Sequence, residues 1–322
     1  MDQKGYIIGA TTFLIMIPVI FICISLLDLF HEENIINYQS IESDSISYTF
    51  KDIKRNIPIF TRQIIENKSL EVIENNKTIN NSSQIIKAEL EYKTHNFTKN
   101  YDKFNTSYVV KSIQSYSDDP FYIEVNSSLW ITQGHVIHHE NFSQLISIQG
   151  LNDPLPFIKC KNYGTITSKG HTINYGDILA NYLKNKGLNS SIYYQNATSP
   201  LIIKKCPYEP YSTHGNLNNL KNCLDNGFFH ESNDGSCYLC RLEGKGSCSH
   251  YGIETFILPP PLNSSNLNSI NNASCCIDHV IFGETNYPGK LINYFQENES
   301  EYVLFLENGH QSKYGILNKI KD

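Results

Sequence analysis

Twenty-two consecutive residues without a charged side chain, Tyr6 to Leu27, constrain this chain more than anything that follows them. As a helix at about 1.5 Å per residue the run spans roughly 33 Å, enough to cross a hydrocarbon core of about 30 Å. It is apolar on every side, unlike the amphipathic surface helix of a soluble domain. It also exceeds the apolar stretch of about 7–15 residues in a cleaved secretory signal, and Ile24-Ser25-Leu26-Leu27 is a poor cleavage site. The expectation is a retained anchor. Lys4 precedes the run, whereas Asp28, His31, Glu32 and Glu33 follow it with no basic residue before Lys51. Positive charge favours the cytoplasmic side, which implies a single-pass cell-membrane protein, N-terminus inside and bulk outside.

Composition narrows the partners. Charged residues make up 18% of the chain and the net charge is −6, with three arginines (Arg55, Arg62, Arg241). Nucleic acid is therefore not an expected partner, because phosphate binding needs clustered Lys and Arg. Cys23 lies inside the apolar run; the other cysteines are Cys160, Cys206, Cys223, Cys237, Cys240, Cys248, Cys275 and Cys276. An even number on a presumed exterior reads as a disulfide framework, with the pairing open. Sequons begin at Asn67, Asn76, Asn80, Asn81, Asn96, Asn105, Asn126, Asn141, Asn189, Asn196, Asn263, Asn272 and Asn298. All follow the anchor, as candidate glycosylation sites on an exterior should.

Beyond the anchor, Ile46, Phe50, Ile53 and Ile57 recur at helical spacing, with a break or kink expected near Pro58. Residues 75–83 read as a loop. Ile86, Leu90, Phe97, Tyr101, Phe104 and Tyr108 form a second stripe, giving an antiparallel helical pair. After Asp118-Asp119-Pro120 the period changes to two: Phe121, Ile123 and Val125, then Leu129-Trp130-Ile131 and Leu145-Ile146-Ser147-Ile148, predict strands. Asp153-Pro154-Leu155-Pro156 reads as a turn, and Ile178 to Leu183, stopped by Gly187, as a short helix. Further strands are expected at Ser191 to Tyr194, Leu201 to Ile203, Gly252 to Leu258, His279 to Phe282 and Glu301 to Leu306.

Few residues suggest chemistry. Cys237-Tyr238-Leu239-Cys240 has redox or zinc-knuckle spacing, and Cys248 and His250 lie close enough to supply further ligands. On an exterior, oxidation to disulfides is the preferred reading. His135, His138, His139 and Glu140 are weak metal candidates, because in a strand His138 and His139 point to opposite faces. No G-x-S-x-G, H-E-x-x-H or P-loop is present, so no catalytic residue, cofactor or enzyme activity is expected.

Lys4-Gly5 directly before the apolar run resembles the prepilin signal of type IV pilin-like proteins, archaeal ones in particular. The resemblance implies cleavage by a prepilin-type peptidase between Gly5 and Tyr6, after which the exposed helix anchors the protein or packs among filament subunits. Ala10 stands where bacterial pilins carry a glutamate, which leaves membrane retention without a filament open. Cys237 to Gly244, Tyr251 to Phe256 and Ile277 to Phe282 look like segments of large archaeal pilin-like surface proteins, which implies an envelope role and no established chemistry.

The expected fold is α+β: a leader (1–5), a transmembrane helix (6–30), a helical stalk (31–117) and a β-rich, disulfide-stapled extracellular domain (118–322). The expected role is structural or adhesive, with lipid membrane and other envelope or filament subunits as partners. The alternatives are a module binding sugars or envelope polymers and a metal-dependent extracellular enzyme.

Overall fold

The computed structural model describes residues 3–134, 136–161, 165–167, 169–187, 194–258, 275–277, 295–297, 300–302, 304–305 and 308–316. The first element, α1 (Gln3–Asn75), is one helix of 73 residues, about 110 Å long at about 1.5 Å per residue. Residues 12–41 are exposed on every side. Its most apolar window has a mean hydropathy of 2.7 with none of it buried, so by length and composition α1 can cross a membrane. From Glu42 onward one face is covered, and Ile46, Phe50, Ile53, Ile57, Ile64, Ile65 and Val72 enter the core.

The break expected at Pro58 does not occur; α1 runs through it. Proline supplies no N–H, so the carbonyl of Lys54 one turn earlier loses its donor. Gln144 replaces that donor from the neighbouring sheet, its Nε2 lying 2.8 Å from Lys54 O. A tertiary hydrogen bond thus satisfies a group that the local sequence leaves unpaired.

The second helix, α2 (Ser82–Thr98), folds back antiparallel on α1 after a turn in which Asn76 and Asn81 take positive φ. Lys68 pairs with Glu89 at 2.7 Å, and the Phe60 and Phe97 rings meet edge-on at 5.2 Å. The helical stripe was expected to reach Tyr108, but β1 (Asn105–Ser115) begins inside it. Asn105 to Val110 is rich in β-branched and aromatic residues that form helices poorly, and it gains a ladder with β2 (Tyr122–Gln133). With β3 (Val136–Ser147) these strands make an antiparallel meander, β2 central. Val110, Ile113, Ile123, Val125, Leu129, Ile131 and Ile146 line its inner face in the core shared with α1 and α2.

The remainder is built from shorter pieces. Asp153-Pro154-Leu155-Pro156 opens α3 (Leu155–Lys159) instead of forming a free turn, with Asp153 Oδ1 accepting from Leu155 N at 3.1 Å. Next come β4 (Thr172–Asn174), α4 (Ile178–Asn185) and β5 (Thr198–Pro200), with β4 and β5 paired. Gly187 follows α4 at φ +82°, the left-handed position expected after a helix end. Then α5 (Leu217–Asn226), β6 (Phe229–Ser232), α6 (Tyr238–Leu242) and β7 (Gly252–Ile257) lead to β8 (Cys275–Ile277), β9 (Phe295–Glu297), β10 (Ser300–Tyr302), β11 (Leu304–Phe305) and α7 (Asn308–Lys313). A sheet of order β11-β8-β7-β6 joins four of these strands, and β9 and β10 pair separately. Residues 191–193 and 279–282, expected as strands, lie outside the described residues.

The link between Pro58 and Gln144 is testable by a double-mutant cycle on thermal or denaturant unfolding. Gln144→Met should cost about 1 kcal/mol, the worth of a typical hydrogen bond, because Lys54 O loses its donor. In a Pro58→Ala background, where the restored backbone N–H at position 58 can serve that carbonyl, the cost of Gln144→Met should largely vanish. Equal costs in both backgrounds would contradict the account.

Candidate metal centres

The segment from Cys206 to His250 carries two four-donor clusters. The first is assembled from four pieces of chain. Cys206 is pinned by its N–H to Phe229 O at 2.8 Å. His214 sits on a 3-10 turn, Tyr211–Gly215, that follows Pro210. Cys223 lies on α5, which Asn216 caps by accepting from Asn218 N at 3.0 Å and Gly227 ends at φ +62°. His230 lies on β6. All four residues are buried, and their donor atoms lie within 4.8 Å of one another. Cys206 Sγ is 3.5 Å from His214 Nε2, Cys223 Sγ is 3.2 Å from His230 Nε2, and the two Nε2 atoms are 3.2 Å apart.

The tautomer of His214 follows from its other nitrogen. Nδ1 lies 2.7 Å from Tyr211 O, a carbonyl that can only accept, so Nδ1 carries the proton and Nε2 offers a lone pair to the cluster. His230 is held by rings instead: Tyr211 and Tyr314 each at 5.0 Å and Phe256 at 5.5 Å between centroids. Burial holds its pKa below the usual histidine value, which keeps the imidazole neutral and its lone pair available.

The second cluster is Cys237, Cys240, Cys248 and His250, again within 4.8 Å of one another. Cys237 caps α6, so Cys240 one turn later faces the same side. His250 Nδ1 is 3.6 Å from both Cys237 Sγ and Cys240 Sγ. The Cys237 N–H donates to Cys248 Sγ at 3.3 Å, which orients that sulfur. Here Cys248 is half-buried and His250 exposed. The intervening loop closes tightly: a Cβ on Gly252 would lie 2.4 Å from Gly235 O.

The hydrogen bond from Cys223 pulls the Cys206 thiol below the usual range, and hydrogen bonds from Cys237 and Cys240 do the same for Cys248. Four protein donors leave no coordination position for a substrate, so the arrangement suits a structural ion and not a catalytic one.

The second cluster is anchored to the rest of the molecule by a buried ion pair. Arg241 Nε lies 2.8 Å from Asp153 Oδ1 and Nη2 2.5 Å from Oδ2, both side chains fully buried. Nearby, Glu243 accepts from Ser82 N at 2.9 Å and caps the start of α2. At the first cluster Glu254, opposite His230 in the β6–β7 register, is buried and accepts from Lys313 Nζ at 2.7 Å and from the Tyr314 hydroxyl. Beside it opens a cavity of about 530 Å³ lined by Tyr211, Glu231, Asp234, Tyr251 and Lys313.

The disulfide framework is not supported. Cys160, Cys206, Cys223, Cys237, Cys240 and Cys248 are not disulfide-bonded, and no disulfide occurs among the described residues. The fold gathers most of these sulfurs around imidazoles instead of pairing them with one another. Cys160 is buried outside both clusters, and burial pushes its thiol pKa up. The side chains of Cys275 and Cys276 lie outside the described residues. The sequence reading found Cys237, Cys240, Cys248 and His250 as a group. It missed Cys206, His214, Cys223 and His230, whose alternation of Cys and His within one 25-residue stretch was the available signal.

Other expected site residues fall elsewhere. His138 meets Phe50 edge-on at 4.4 Å, and His139 stacks on Trp130 at 4.3 Å, on opposite faces of β3; His135 is outside the described residues. Lys4, Gly5 and Tyr6 lie in the first turns of α1. Among the sequons Asn67, Asn80, Asn81, Asn105, Asn141 and Asn196 are exposed and Asn76, Asn96 and Asn126 half-buried, while Asn189, Asn263, Asn272 and Asn298 are outside the described residues. No protein-family model matches this chain, and no curated protein or solved structure gives a match.

Asp153→Ala should destabilise the protein by about 3–5 kcal/mol in denaturant unfolding, because it strands a buried guanidinium. Gly215→Ala should destabilise it as well, since the new Cβ would lie 2.4 Å from Gly315 O. Near-wild-type midpoints for both would contradict this packing.

Proposed function

We propose that the protein is a single-pass membrane protein of the cell envelope, in which a pilin-like N-terminal helix carries a folded head in a structural or adhesive role. The observation that carries this reading is the exposure of residues 12–41 of α1, about 45 Å of helix at about 1.5 Å per residue, with its most apolar window wholly outside the core. A bilayer covers such a surface, and so do the apolar helices of neighbouring copies. The other half of α1 is sheathed by α2 and the meander, so the same helix is both anchor and core.

Lys4-Gly5 before the apolar run supports processing by a prepilin-type peptidase and an N-in orientation. The unbridged cysteines withdraw disulfides as support for an external head; Lys4 and the sequons still favour it. The cavity beside Glu231 favours a second reading, a module that binds a small polar ligand such as a sugar, because tyrosines and both signs of charge converge on it.

N-terminal sequencing of protein extracted from membranes should begin at Tyr6. A start at Met1 or Asp2 would remove pilin-type processing, and release of the protein by alkaline carbonate would remove the anchor. For the second reading, saturable elevation of Tm by neutral oligosaccharides is the expected result, and no shift at millimolar sugar contradicts it.

A further inference from the structure

We infer that the two clusters are zinc centres, one per cluster, and that they differ in lability: a shielded Cys2His2 centre at Cys206, His214, Cys223 and His230, and an accessible Cys3His centre at Cys237, Cys240, Cys248 and His250. Tetrahedral zinc, with Zn–S near 2.3 Å and Zn–N near 2.0–2.1 Å, sets sulfur–nitrogen separations of about 3.6 Å and nitrogen–nitrogen separations of about 3.3 Å. The clusters present sulfur–nitrogen distances of 3.5, 3.2, 3.6 and 3.6 Å and a nitrogen–nitrogen distance of 3.2 Å. Two pairs of cysteines oxidised to disulfides would give the converging imidazole nitrogens nothing to face.

Ligating imidazoles characteristically donate their other N–H to a fixed acceptor, as His214 does to Tyr211 O. Sulfur ligands characteristically accept backbone N–H bonds, as Cys248 does from Cys237. Mixed thiolate and imidazole donors in tetrahedral array select zinc over the hard cations, which take oxygen.

Zinc with two thiolates and two neutral imidazoles is neutral overall, having released two thiol protons, and the cluster with that composition is the one whose four residues are all buried. Zinc with three thiolates carries one net negative charge. That cluster reaches the surface through half-buried Cys248 and exposed His250, next to exposed Lys245, whose backbone N–H bonds Cys240 O at 3.0 Å. Burying the charged centre and exposing the neutral one would cost more in desolvation. The same difference in exposure sets the lability. Tyr211, Tyr314 and Phe256 cover the first centre, whereas a chelator can reach His250 directly.

The test uses the full-length protein purified in detergent with reductant and without chelator. Elemental analysis should find two zinc ions per chain. A chromogenic chelator should withdraw one quickly and the other only on unfolding. Replacement by Co²⁺ should give tetrahedral d–d bands with thiolate-to-cobalt charge transfer. His250→Ala should retain one zinc, lose the fast phase and keep the slow one; Cys223→Ser should lose the shielded ion, and if that chain does not fold, the His250→Ala stoichiometry still decides. Zinc below one per chain, or thiols recovered as disulfides from freshly isolated protein, would overturn the inference. Two zinc ions released in a single phase, or an unchanged count in His250→Ala, would overturn the assignment of the accessible centre.

Discussion

A guanidinium and a carboxylate that are both wholly shut away from water fix how this molecule is put together. Arg241 and Asp153 must face each other, because either one alone would be an uncompensated buried charge. Asp153 belongs to the chain leaving the meander and starts α3; Arg241 belongs to the helix that Cys237 caps and that carries Cys240. Their bidentate contact therefore sets the C-terminal segment against the helical half. Ile79 N bonding Leu242 O and Glu243 capping α2 extend that seam to the α1–α2 turn.

The largest apolar core is shared by one face of α1, α2 and the inner face of the meander, and it also takes in Phe229, Tyr238, Leu239, Leu242 and Ile253 across the seam. Elsewhere in the C-terminal segment the elements are short, and one cluster comprises little beyond Leu220, Leu224, Phe256, Tyr314 and Ile316 with two cysteines. Segments that bury so little apolar surface characteristically need a further constraint. A structural zinc ion contributes roughly 10–16 kcal/mol of apparent binding free energy in small zinc domains, ample for that purpose. The two Cys/His clusters sit where such a constraint acts, at opposite ends of the β6–β7 ladder.

Much of the helical half could be read directly from sequence. The spacing of Ile46, Phe50, Ile53 and Ile57 identifies the face of α1 that is buried, and the alternation of Ile123 and Val125 identifies β2. What the sequence hid was set at a distance. Pro58 argues for a break, and only Gln144, far along the chain on β3, removes the reason for one. Tyr108 fits a helical stripe until Leu129 is available opposite it in a ladder. The cysteines are the clearest case. Counting them suggested disulfides, whereas the decisive partners, His214 and His230, meet only after α5 and β6 have folded.

The exposed half of α1 is long and apolar enough to cross a membrane, and the ion pair at Arg241 joins the C-terminal segment to the chain leaving the meander. The central claim is that metal, not sulfur bridging, orders residues 206–258 while the helical half stands by itself. Hydrogen exchange of the detergent-solubilised protein, with and without a strong zinc chelator under reducing conditions, tests it most directly. Loss of protection across α5, β6, α6 and β7, with α1 beyond Glu42, α2 and the meander unchanged, is the predicted result. Protection of the C-terminal segment that is indifferent to the chelator would contradict it.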